Sequence, residues 1–151
     1  MTTRAYIALG SNLGDPLATV QAAFAALRTL PETTLVAASS LYRSAPVGLK
    51  HQPDFINAVA AADTALGAEA LLDELFAIEA RFGRRRDFHH APRTLDLDLL
   101  LYGDLRLHEH GLTLPHPRAH ERAFVLAPLA EIAPDLAQPL PADQRIERIA
   151  P

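Results

Sequence analysis

Apolar positions along this chain follow two rhythms. "RAYIALG" is a short apolar run that reads as a strand, and it leads into the glycine-flanked turn "GSNLGDP". Leu17, Val20, Phe24 and Leu27 then recur at helical spacing. Asp15 ahead of Pro16 has the form of an N-cap followed by the first helical residue, so a helix is expected from there to about Leu30, ended by Pro31. Residues 34–42 read as one strand, "RSAPVGLKHQPD" as a loop, and "FINAVAAADT" as a strand antiparallel to the first. Leu71, Leu75, Ile78 and Phe82 mark a second helix that stops at Gly83. A basic and aromatic loop, "RRRDFHHAPR", precedes the strand "TLDLDLLLYG". Beyond Leu105 the proline-bounded segment "LPHPRAHERAFVLAPLAEIAP" predicts one short helix.

The resulting order, β-α-β-β-α-β, is that of a split βαβ unit. It predicts an α+β fold with an antiparallel sheet, helices packed on one face of it, and a C-terminal extension. No repeat, low-complexity tract or dividing linker interrupts the chain, and 151 residues suit a single domain, 1–151.

The last of these strands breaks the apolar pattern. Side chains alternate faces along a strand, so Thr94, Asp96, Asp98 and Leu100 share one side, and Leu95, Leu97, Leu99 and Leu101 take the other. The two aspartates stand roughly 7 Å apart at the Cα atoms. At an effective dielectric near 20, charges about 6 Å apart repel by about 3 kcal/mol, so a cation must offset them. Two Mg²⁺ ions about 3.5 to 4 Å apart suit such a pair, with water and phosphate completing the coordination. Neighbouring arginines neutralising the pair for purely structural reasons is the alternative that the strand alone leaves open.

Composition narrows the choice. Hydrophobic residues make up 49% of the chain and charged ones 21%, an ordinary globular balance. A net charge of −4 argues against a general polyanion binder, so no nucleic-acid partner is expected, and any anion site must be a local arginine cluster. The absence of cysteine excludes disulfides and thiolate metal sites, and no signal-length apolar run opens the sequence. A cytoplasmic protein with no membrane partner is the expectation.

Such a cluster exists: Arg84, Arg85, Arg86 and Arg93 flank the acidic strand. Guanidinium forks suit phosphate oxygens, and paired carboxylates with arginines are what nucleotide phosphoryl transfer requires. A short arginine run is otherwise most often a solvated surface. Glu79, one turn before the second helix ends, is a candidate to orient the cluster, an exposed helical glutamate being the default. "GSNLG" at 10–14 lacks the Gly-Lys-Ser/Thr of a P-loop and the spacing of a dinucleotide fingerprint, so it reads as a strand-to-helix turn. Kinase signatures are missing.

In order along the chain, "YIALGSNLGDP", "SSLYRSAPVG", "QPDFINAV", "PRTLDLDLLLYG" and "LPHPRAHERAFVLAPLAEIAP" resemble the blocks of the 6-hydroxymethyl-7,8-dihydropterin pyrophosphokinases of folate biosynthesis. The resemblance covers nearly the whole chain, and "PRTLDLD" is its most specific part. It implies a ferredoxin-like fold and transfer of pyrophosphate from ATP to the pterin hydroxymethyl group, releasing AMP. By the same resemblance Asp96 and Asp98 hold two Mg²⁺ ions, and Arg84 and Arg93 reach the phosphates. Arg86, Thr113, His116, Arg122, the backbone of Leu99 and, near the nucleotide, Glu79 match ATP-binding positions. For the pterin, the main chain of Ser44, Ala45, Pro46 and Val47 meets the ring edge, Asn57 reads its polar groups, and Phe55 and Phe124 stack on its faces. Without the resemblance both phenylalanines read as core. A monomer acting on ATP and a dihydropterin is expected.

The chain departs from the family pattern at four positions. His90 and Ala91 stand where many members carry tryptophan and glycine, Gly111 replaces an arginine, and Pro117 replaces an aromatic. Two other classes of protein call for different residues. An RNA-binding module of similar topology would need an aromatic strand and a basic face, and a zinc hydrolase would use His108, His110, His116 and His120. Without an H-E-x-x-H motif, most of these histidines are expected at the surface.

Overall fold

A computed structural model describes residues 1–45, 53–83, 95–109 and 111–149. Among them, mixed helices and strands alternate. The first strand, β1 (Thr3–Ser11), leads into helix α1 (Pro16–Leu27), which is followed by β2 (Thr33–Ala38), β3 (Tyr42–Ser44) and β4 (Phe55–Thr64). Helix α2 (Ala68–Arg81) and β5 (Asp96–Tyr102) come next, then the small hairpin β6 (Leu107–Glu109) and β7 (Leu112–Leu114). Helix α3 (Ala123–Ile132) and a last strand, β8 (Ile146–Arg148), complete the order.

Local signals act as the residue types dictate. The Asp15 carboxylate accepts from Ala18 N at 3.2 Å with Pro16 opening the helix. Gly83 takes φ +83°, the left-handed conformation that ends a helix after α2 without a Cβ penalty. α1 ends three residues before the expected Leu30. Leu17 is 39% exposed rather than on the buried face, where Ala23 joins Val20, Phe24 and Leu27.

The main sheet is antiparallel with strand order β5-β1-β4-β3-β8, and β2 also pairs with β4. The single strand expected over residues 34–42 is therefore two. Serine hydroxyls compete for ladder groups at the break: Ser39 Oγ accepts from Val59 N at 2.9 Å and donates to Ser40 O at 2.8 Å.

Helices cover both faces of this sheet, not one. Val20, Phe24, Leu27, Leu71, Leu75 and Ile78 from α1 and α2 pack on Ala5, Ile7, Leu9, Leu97 and Leu99. On the opposite face Val125 and Leu129 of α3 pack on Ala8, Val59 and Leu100. β4 is buried on both sides as a result, which its alanine run at 58 and 60–62 permits because small side chains let both layers approach. Leu101 also departs from strict alternation. A register irregularity lies where Tyr6 faces Leu101 and Ile7 faces Leu99, and Leu101 packs with Leu100 on the α3 side.

One exposed carboxylate ties α3 to the β2–β3 break. Glu131 accepts from Ser40 N at 3.0 Å, from Ser40 Oγ at 3.0 Å and from Tyr42 Oη at 2.7 Å, and Arg148 Nε donates to Ser40 Oγ at 3.1 Å. Burial opposes the charged form of Glu131, but the hydrogen bonds from Tyr42 and Ser40 and the nearby Arg148 outweigh it and hold the carboxyl below its usual range. Burial, aided by the same carboxylate, pushes the Tyr42 phenol up to about 12.

A depressed folded-state pKa means that Glu131 stabilises the fold above its unfolded pKa and loses that contribution as pH falls through the folded value. Glu131→Gln is expected to cost about 1 kcal/mol at pH 7, a modest figure because the carboxylate is solvent-exposed. The difference between wild type and variant in urea denaturation should shrink as pH falls below about 4.3, the ordinary glutamate value.

Candidate functional site

Register across the sheet places the chemistry. Asp96 lies opposite Gly10, and Asp98 opposite Ala8. Gly10 in turn faces Asn57, which faces Tyr42. On the α3 side this row floors a cavity of about 650 Å³ lined by Gly10, Asn57, Asp96 and Asp98, with Ser44, Ala45 and Phe55 along one side and Arg122 and Phe124 opposite. Gly10, the last residue of the expected strand "RAYIALG", lies within β1, which runs one residue further into the turn expected for "GSNLG". A Cβ there would come within 3.3 Å of Asn57 Oδ1 and 3.9 Å of the Phe55 ring, so glycine leaves the floor open.

Polar groups in this cavity are held from behind. Asn57 is buried and its Nδ2 donates to Ser44 Oγ at 2.7 Å, which fixes the amide plane. Phe55 and Phe124 are each half-buried with surface on the cavity, unlike fully enclosed core phenylalanines. The Arg122 guanidinium lies over the Phe124 ring, 5.6 Å from its centroid, a cation–π distance.

A second cavity of about 330 Å³ opens on the other side of β5. Leu99, Thr113 and His116 line it with Leu72 and Phe76 of α2 and with two of the departing positions, Gly111 and Pro117. Asp98 lines both cavities. His116 is half-buried; burial first, then Arg122 and Arg118, lower its pKa against an opposing pull from Asp96. Its Nδ1 accepts from Arg118 N at 3.3 Å, an arrangement that leaves a neutral ring's Nε2–H free to donate.

Glu79 is 1% exposed, contrary to the default of a solvated helical glutamate, and it lines neither cavity. Its Oε2 accepts from Leu97 N at 2.8 Å, the amide between the two aspartates. The structure thus brings together Ser44, Ala45, Phe55, Asn57, Asp96, Asp98, Arg122 and Phe124 in one cavity and Leu99, Thr113 and His116 in its neighbour. Arg84, Arg86, Arg93, Pro46 and Val47 lie outside the described residues, as do His90, Ala91 and His110. His108 and His120 are exposed, and no group of three or more potential metal-binding His, Cys, Asp or Glu forms among the described residues.

Sequence reasoning missed Arg118, Glu121 and Gln144, which also line the larger cavity. Arg118 and Glu121 stand in the quoted "LPHPRAHER" block and form an exposed ion pair at 3.5 Å. Gln144 carries no motif signal at all. The acidic pair requires little beyond hard oxygen chemistry. Both carboxylates are half-buried on one strand face, and since no metal-holding group of three forms among the described residues, most of a cation's coordination would remain for water and phosphate. That donor set suits Mg²⁺.

Comparison with known proteins agrees in both sequence and fold. The family model described as 7,8-dihydro-6-hydroxymethylpterin-pyrophosphokinase (HPPK) matches residues 6–134. The 2-amino-4-hydroxy-6-hydroxymethyldihydropteridine pyrophosphokinase of Pseudomonas aeruginosa is 54% identical over 139 residues, covering 92% of this chain and 86% of that protein. The protein of the same name from Haemophilus influenzae is 50% identical over 135 residues, covering 89% of this chain and 84% of its own length. In fold, the chain is similar to a crystal structure of Plasmodium falciparum HPPK-DHPS, wild type with pteroate, at a TM-score of 0.68 and 12% identity. That match covers 87% of this chain and 39% of the other. On the extent of the family match and of these identities, the chain belongs to the 7,8-dihydro-6-hydroxymethylpterin-pyrophosphokinase family.

Proposed function

We propose that this protein transfers pyrophosphate from ATP to the hydroxymethyl group of 6-hydroxymethyl-7,8-dihydropterin, giving AMP and the pterin diphosphate in folate biosynthesis. The observation that carries the reading is Asp98 standing between two cavities, one with a fixed amide and two aromatic faces, the other with Thr113 and His116. A flat heterocycle fits the first and a nucleotide the second. In the reaction the pterin hydroxyl oxygen loses its proton to solvent and forms a bond to the β-phosphorus, the bond from that phosphorus to the α-β bridging oxygen breaks, and AMP leaves with the bridging oxygen.

Each residue's part follows from its surroundings. Asn57, held by Ser44, reads the polar edge of the ring with the main chain of Ser44, Ala45, Pro46 and Val47, while Phe55 and Phe124 take its faces. Offset stacking of this kind contributes roughly 0.5 to 1.5 kcal/mol beyond burial. Asp96 and Asp98 would hold two Mg²⁺ ions, which when bound neutralise phosphate charge and polarise the transferred group. Leu99 through its backbone, Thr113 and His116 receive the nucleotide, His116 donating from Nε2. Arg122, Arg86, Arg84 and Arg93 supply guanidinium groups for the phosphates, with Arg84 and Arg93 acting on charge that develops in transfer; the roles of the last three rest on the family resemblance. Glu79 serves the nucleotide side through β5, by holding the Leu97 amide between the aspartates.

The same reading takes residues 1–151 as one domain with a ferredoxin-like βαββαβ core, supported by the strand order β5-β1-β4 followed by β2 and β3, and with a C-terminal extension beyond it. It is also of a cytoplasmic monomer without nucleic-acid or membrane partners, supported by the acidic net charge of −4 and the absence of cysteine. No helix among the described residues is long and apolar enough to cross a membrane.

Incubation with ATP, Mg²⁺ and the hydroxymethyl-dihydropterin should yield AMP and pterin diphosphate in equal amounts, and omission of the pterin should abolish AMP release. Asp96→Asn and Asp98→Asn are each expected to lower turnover by about a thousandfold, roughly 4 kcal/mol of barrier, while keeping or raising the melting temperature because repulsion is relieved. Near-normal turnover in either variant would remove the metal-holding role. Glu79→Ala leaves the Leu97 amide buried without its carboxylate acceptor and is expected to cost about 2 to 3 kcal/mol by chemical denaturation. It should also raise the Mg²⁺ concentration needed for half-maximal rate.

A further inference from the structure

The family match ends at residue 134, yet the segment beyond it is built into the larger cavity. In a turn, Gln144 N donates to Pro141 O at 3.2 Å, and the chain then runs into β8. There Ile146 pairs with Ser44 and Arg148 with Tyr42, and Ile149 N donates to Leu41 O at 2.8 Å. One end of the segment is thereby laced to β3, the side of the cavity that carries Ser44. The other end reaches the opposite wall. Gln144 Oε1 accepts from Ala123 N at 2.8 Å, and its Nε2 donates to Glu121 O at 2.8 Å.

Those two backbone groups flank Arg122. Helix α3 begins at Ala123 with Arg122 as its N-cap, in an extended conformation at φ −123°, ψ 112°, and without a side-chain cap of its own. A helix start leaves N–H groups unsatisfied, and an arginine side chain has only donors, so Arg122 cannot serve as its own cap. Gln144 brings the acceptor from a distant part of the chain and, with the other end of the same amide, fixes the carbonyl one residue before Arg122. With the peptide groups on both sides held, the direction in which Arg122 leaves the backbone is set, and with it the guanidinium that lies over Phe124.

We infer that Gln144 is a positioning residue for the substrates, and that the segment 141–149 is a strap holding the Arg122–Phe124 wall at a set distance from the Ser44–Asn57 wall. This rests on the proposed reading of the larger cavity as the pterin site. The width of that slot decides how well a flat ring is held between aromatic faces. The strap's hydrogen bonds run to Ala123, to Glu121 and to β3, on the walls of the cavity, so it governs binding and orientation more than the chemical step.

The test compares full-length wild type, Gln144→Ala and Gln144→Glu in the AMP-release assay and in thermal denaturation. Gln144→Ala should raise the pterin KM about tenfold and the ATP KM by a smaller factor, with kcat within about threefold. Gln144→Glu keeps an acceptor for Ala123 N, and a carboxylate is favourable at a helix N-terminus, so its melting temperature should stay close to wild type. It has no donor for Glu121 O at neutral pH, so its pterin KM should still rise at least fivefold. That split between stability and KM is what a merely structural glutamine would not produce. An active wild type combined with an unchanged pterin KM in either variant overturns the positioning role. A wild type that forms no AMP overturns the proposed activity instead, so the two failures are read from different proteins.

Discussion

The pairing of β1 with β5 is the constraint on which the site depends. It sets Asp96 against Gly10 and Asp98 against Ala8, so the two carboxylates have only the smallest neighbours beside them on the sheet. A larger residue at Gly10 would crowd Asn57, the next member of the same row. The strand is held from its other face as well, by a buried glutamate that accepts the amide between the aspartates. The spacing of the two carboxylates on one face of the strand is thus set by a backbone held on both sides.

Given that strand, the position of α3 decides what the carboxylates can reach. Packing on the face opposite α1 and α2, the helix turns a bare sheet surface into a walled cavity and brings Arg122 and Phe124 over the floor. The same packing buries β4 on both sides, which explains why alanine rather than larger aliphatics fills much of that strand. Because Asp98 stands at the rim of both cavities, a group bound in one lies beside a group bound in the other. Transfer between two substrates needs this adjacency more than it needs any one strong contact.

Carboxylates play two different parts in this protein. Asp96 and Asp98 face cavities, whereas Glu79 and Glu131 accept backbone and side-chain hydrogen bonds that join elements far apart in sequence. Glu131 ties α3 to the break between β2 and β3, and Glu79 ties α2 to β5. In each case the long side chain spans a helix-to-strand gap, with charge-assisted hydrogen bonds stabilising the join.

What the sequence determined by itself is what short-range chemistry dictates. The cap at Asp15 and Pro16, the stop at Gly83 and the common face of Asp96 and Asp98 each follow from neighbours within a few residues, and each is present in the structure. The ordered blocks resembling one enzyme family named candidate residues, and those of them within the described residues, Glu79 excepted, line two cavities beside β5. Tertiary structure alone decided the rest. No local signal says that α3 covers the second face, that serine hydroxyls split the strand over residues 34–42, or that Leu101 joins Leu100 after an irregular pairing with β1. Nor could spacing show that Glu79 is buried, since its partner amide lies eighteen residues on. Gln144 is the extreme case, because its two partners lie 21 and 23 residues away and nothing in its own neighbourhood distinguishes it from any polar turn residue. Periodicity reports which way a side chain faces within its own element; which element it meets there is set only when the layers pack.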